Sequence, residues 1–195
     1  MQPVHVQDYG PVIAQLIGRE RLAELGPGHL DRELAERLQT LTTDELFAHA
    51  RVTDESMASA CLAGLWLYAD GLDQSHAISQ SIETTTGSFW HGIMHRREGD
   101  FGNSKYWFRR VGKHPVFEPL AAETRRFAQQ STLSEVSGLA AQENWDPFRW
   151  IDLCETAQQP GRGNAAGTGL VDFCRRIQAS EWRLLFDFSY RRAID

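Results

Sequence analysis

The sequence predicts an all-α fold, a compact single-domain helical bundle over residues 1–195, with an α-rich fold carrying a small sheet as the alternative. Three observations predict it. Strict apolar–polar alternation of branched residues is almost absent, apolar residues recur at spacings of three and four, and capping and breaking residues punctuate the chain often.

The elements follow in order. Ile13, Leu16, Ile17 and Leu25 fit one loosely helical stretch over 11–25, broken by Gly26-Pro27-Gly28. A second amphipathic stretch runs from Leu30 to Leu41 around Leu34 and Leu38. Thr42-Thr43-Asp44-Glu45 is a capping-box pattern opening a short helix to about Ala50. Thr53-Asp54-Glu55 starts a helix that carries no charge from Ser56 to Ala69 and ends near Asp70-Gly71. Those 14 residues fall short of the roughly 18–20 needed to span a bilayer, so they read as a helix buried in a domain core. Pro115–Gln130 is a further helix. Asp146-Pro147 is a cap followed by a first-turn proline, opening a helix to about Gln158. Phe173, Ile177, Trp182, Leu185, Phe186 and Phe188 mark a last helix over 170–193. The glycine-rich stretch 160–169 lacks a preceding strand and a Gly-Lys-Ser/Thr, so it reads as a connecting loop rather than a phosphate cradle.

Charge narrows the function classes. Twenty Lys/Arg face 26 Asp/Glu, a net of −6, which disfavours a protein gripping nucleic acid through its phosphates. Cys61, Cys154 and Cys174 form no C-x-x-C pair and suggest a reducing compartment rather than a disulfide framework. The first residues lack the basic start and apolar run of a signal peptide. The expectation is a cytoplasmic protein with no membrane partner; a homo-oligomer stays open.

Segment 72–115 stands apart. It holds four of the seven histidines and both lysines, Lys105 and Lys113. Residues 91–114 carry a net of +4 against −10 for the rest of the chain. A cationic island in an anionic protein is a local electrostatic feature. The run Ser75-His76…Gln80, Trp90-His91-Gly92-Ile93-Met94-His95-Arg96-Arg97-Glu98 and Asn103-Ser104-Lys105-Tyr106-Trp107-Phe108-Arg109-Arg110 resembles a family of bacterial and fungal proteins without an assigned activity. The resemblance covers about a quarter of the chain and implies no catalytic role for any residue.

On a helix over 86–98, capped near Thr86 or Ser88, His91, His95 and Glu98 share one narrow stripe, with Gly92 beside it leaving room for a ligand or another helix. Asp73, His76 and Gln80 line one face of the preceding stretch. If the two stripes meet, His76, His91 and His95 suit a divalent ion, Zn, Mn, Fe or Ni, with Asp73 or Gln80 orienting a ligand ring. The blander reading makes the same histidines core residues bonded to backbone or to Asp73 and Glu98.

Asn103 or Ser104 as a helix cap, with Arg96, Arg97, Lys105, Tyr106, Arg109 and Arg110 nearby, predicts a site for an anionic small molecule. An ion-pair network with Glu98, Asp100 and Glu118 is the alternative for these cations. The expected function is a small helical enzyme of hydrolase or lyase type acting on an anionic small molecule. Glu98 or Asp100 is the candidate base, and Lys105 a candidate acid, base or nucleophile. A non-catalytic ligand binder or sensor, and a structural interaction protein, are the rivals.

Overall fold

The computed structural model describes residues 6–18, 21–159 and 168–194. Among them every regular element is a helix and no strand occurs. The chain runs through α1 (Gly10–Ile17), α2 (Arg32–Thr40), α3 (Thr43–Leu46), α4 (Glu55–Tyr68), α5 (Leu72–Ser79), α6 (Thr85–Glu98), α7 (Phe101–Val111), α8 (Phe117–Gln129), α9 (Pro147–Ala157) and α10 (Thr168–Ile194), with 3₁₀ turns at Val6–Tyr9 and Ser134–Leu139. The glycine-rich stretch falls outside the described residues except for Thr168 and Gly169, which open α10. No described helix is long and apolar enough to cross a membrane.

Local chemistry sets most of the boundaries. Thr42 caps α3 in a full capping box with Glu45, Asp54 caps α4 through the Met57 N–H, and Asp146 caps α9 ahead of Pro147. α1 stops at Ile17 rather than running to residue 25, and Leu25 reaches the core from irregular backbone instead.

α4 is apolar all round and accordingly buried, with Ala58, Ala60, Cys61, Ala63 and Leu65 fully covered. It packs against α10, α5 and α6. The three-helix crossing is organised at Gly64. A Cβ there would come within 2.8 Å of the Trp90 ring, so only glycine lets α6 lie this close. Trp182 Nε1 of α10 donates to the Gly64 carbonyl at 2.7 Å, and Trp90 Nε1 donates to Ser189 Oγ at 3.3 Å. These bonds satisfy indole N–H groups that would otherwise be buried alone. Gly92 has the same part between α6 and α7: a Cβ would meet the Phe108 ring at 2.8 Å, and Ser104 Oγ donates to the Gly92 carbonyl at 2.7 Å. Of the two approaches expected at Gly92, the neighbouring helix is the one observed.

α6 is thereby fixed on both sides. Residues 86–97 are buried throughout, so its polar members must find partners inside the protein.

Candidate metal centre

α5 and α6 are consecutive helices that pack on each other, which brings His76 up to His91 and His95. One ring nitrogen from each lies within 4.8 Å of the other two. The His91 and His95 Nε2 atoms are 3.0 Å apart; the His76 ring stands edge-on to both, at centroid distances of 4.7 and 5.4 Å. His91 and His95 are buried and His76 is half-buried, so the group sits under the surface and opens outward past His76. Such a group could hold a metal ion.

Its surroundings set ring orientation and protonation. Glu98 Oε2 lies 3.1 Å from His95 Nδ1. An ionised carboxylate only accepts, so Nδ1 is the donor of this pair, and the neutral form of the ring has its lone pair on Nε2, toward His91. Burial first, and then His95 and His76 beside it, push His91 down to about 3, with the Ser79 carbonyl acting weakly the other way. The ring is therefore neutral near pH 7. Its Nδ1 is buried without a hydrogen bond of normal geometry. Trp107 of α7 stacks on the His91 ring at 3.9 Å and covers it, and Arg110 lies over Trp107 at 5.2 Å.

The remaining predicted residues part company here. Arg96 and Arg97 are paired with the protein's own carboxylates. Arg96 is fully buried and bonded through both terminal nitrogens to Glu181 of α10. Burial opposes that charge, but the Glu181 carboxylate holds the guanidinium ionised with a raised pKa. Arg97 is bonded to Asp70 and to the Gly26 and Leu67 carbonyls, with burial lowering its pKa against the pull of Asp70. A buried cation demands such partners, so both guanidinia tie the bundle together.

The expected helix caps are corrected. α6 is capped by Thr84 rather than Thr86 or Ser88, and α7 by Asp100 rather than Asn103 or Ser104. Asp100 accepts from the Asn103 backbone N–H at 2.9 Å and from its side chain at 2.7 Å, which fills the helix end with the protein's own carboxylate. The Asn103 N–H bond holds the Asp100 pKa below the usual range and makes it a weak base. Ser104 is buried inside the helix.

Lys105 is paired with Asp152 of α9 at the surface, and Tyr106 is exposed with its ring edge toward Trp107. Arg109 is exposed and lines a different hollow. Among the predicted cations, Arg110 is the one tied to the histidine group, through Trp107. Asp73 and Gln80 are exposed on or just beyond α5. Sequence reasoning missed Trp107 as the cover of His91; its place two residues after the expected Lys105 was the available signal.

Two hollows lie elsewhere. One of about 190 Å³ sits among Tyr9, Ile93, Arg97 and Trp182, and one of about 610 Å³ lies beside α7, α8 and α9; neither is lined by His76, His91 or His95. Comparison with protein-family models, curated proteins and solved structures returns no match to this chain.

Proposed function

We propose that His76, His91 and His95 hold one divalent cation, Zn, Mn, Fe or Ni, and that the protein is a metal-dependent enzyme of hydrolase or lyase type for an anionic small molecule. The observation that carries the reading is the Glu98–His95–His91 arrangement. A carboxylate fixes one imidazole with its lone pair inward, 3.0 Å from the next imidazole nitrogen. Two nitrogens on one tetrahedral zinc at 2.0–2.1 Å sit about 3.3 Å apart, close to that spacing. Three imidazole nitrogen donors leave at least one coordination position for water or substrate, as catalytic centres require. When bound, the cation supplies Lewis acidity and a water of lowered pKa.

The chain's own groups have separable parts. Glu98 orients His95 and keeps its proton on Nδ1. Its side chain is half-exposed, so the same carboxylate is within reach of solvent for proton exchange. Trp107 keeps water off one face of His91, which strengthens electrostatics on that side. Arg110, exposed beside Trp107, is the group for an anionic substituent.

The test uses untagged protein, stripped and reconstituted with each of the four metals, assayed on a panel of phosphate esters, carboxylate esters and hydroxy acids. Turnover requiring metal and lost in His95→Ala supports the proposal. Less than about one-tenth equivalent of retained metal overturns it. Metal retention without turnover on the panel leaves the non-catalytic binder, which the absence of His76, His91 and His95 from the two hollows favours.

A further inference from the structure

A second hollow borders α7, and none of His76, His91 and His95 lines it. Phe108 and Arg109 of α7, Lys113 just past its end, Phe117 of α8, and Trp145 and Phe148 at the start of α9 line a cleft of about 610 Å³. That volume lies within the range of small-molecule sites. Its floor is aromatic. Phe148 remains 37% exposed there, one of few large apolar side chains left to solvent. Trp145 is buried, yet its Nε1–H has no acceptor, so no hydrogen bond fixes the rotation of this wall.

The rim supplies the charge. Arg109 and Lys113 are exposed, and among the described residues neither is held in an ion pair, whereas Lys105, Arg96 and Arg97 all are. Cations near a helix C-terminus complement its dipole in any case. These two additionally stand four residues apart over the same aromatic floor. Glu118 and Glu143 share the lining, so the cleft as a whole is electrically balanced and offers a polyanion no net attraction.

We propose that this cleft binds a flat apolar small molecule bearing a single anionic group, its ring against Phe108, Phe117, Trp145 and Phe148 and its anion between Arg109 and Lys113. The site stands whether or not the histidines hold a metal.

The test is a ¹H–¹⁵N titration of the full-length chain with benzoate, phenylphosphate and benzyl alcohol, reading the Trp145 indole resonance assigned through Trp145→Phe. A saturable shift with benzoate or phenylphosphate is expected, and the tighter of the two identifies the anionic group. Benzyl alcohol is expected to bind at least about tenfold more weakly, because it offers the ring without the charge. Arg109→Met/Lys113→Met, altering two exposed side chains, weakens the anion about tenfold or more with the remaining spectrum unchanged. No saturable shift with either anion, equal binding of the alcohol, or undiminished affinity in the double variant overturns the proposal.

Discussion

His91 and His95, one helical turn apart on α6, point their Nε2 atoms at each other across 3.0 Å with no acidic side chain between them. Two imidazoles on adjacent turns face each other this way only when at most one carries a proton at the shared position. Glu98 decides which, by accepting a hydrogen bond from the Nδ1–H of His95.

Glu98 is therefore a positioning residue with a measurable part. Glu98→Gln keeps the shape but can no longer act as an anionic acceptor for Nδ1–H. Zinc affinity should fall about 10–100-fold, while the melting temperature of the metal-free protein stays nearly unchanged, because the side chain is half-exposed. Competition with a chromophoric chelator measures the first and calorimetry the second. An unaltered affinity would remove Glu98 from the centre.

Acid sensitivity should come from buried imidazoles. His114 accepts from the Val116 N–H at Nδ1 and lies 3.2 Å from Thr86 Oγ1 at Nε2, and burial lowers it to about 4. A folded-state pKa below the unfolded value near 6.5 makes protonation favour the unfolded chain. The neutral ring's contribution, about 3 kcal/mol by linkage, is complete above pH 6.5 and is lost as pH falls toward 4. His91, at about 3, adds a second proton in metal-free protein. Urea unfolding from pH 7.5 to 4 should show this slope, reduced by about one proton in His114→Phe.

The Arg96–Glu181 pair should be costly to break from one side. Both side chains are fully buried. Glu181→Gln leaves an uncompensated guanidinium and should destabilise by about 3–5 kcal/mol, whereas Arg96→Met/Glu181→Leu together should recover most of that loss. Chemical denaturation of the three variants checks it; equal losses in single and double variants would contradict it.

Gly92→Ala should couple packing to the site. The added methyl meets the Phe108 ring, which is buried and has little room to retreat. We expect a loss of about 1–3 kcal/mol and a weaker hold of Trp107 on His91, read as altered tryptophan fluorescence on zinc addition.

Much of this was legible before the fold. The caps at Thr42, Asp54 and Asp146 are local chemistry, and the trio announces itself because two members lie four apart on one helix and the third begins the neighbouring stripe. Where several residues could cap, sequence did not choose. The sequence puts the α6 cap at Thr86 or Ser88, whereas Thr84 fills it, its hydroxyl accepting from the Gly87 N–H. The fates of Arg96 and Arg97 were not legible, because Glu181 and Asp70 lie 85 and 27 residues away and meet them only through the tertiary fold. The same holds for the cleft: Lys113 stood out by its rarity and Trp145 as a potential wall, but their meeting depends on how α9 returns against α7.

X-ray absorption at the zinc edge, on zinc-reconstituted protein without a histidine tag, tests the convergence of the three rings most directly. The expected spectrum shows nitrogen at about 2.0–2.1 Å with the outer-shell scattering of three imidazoles, reduced to two in His76→Ala. A wild-type spectrum with one imidazole or none, or with sulfur in the coordination sphere, would contradict it.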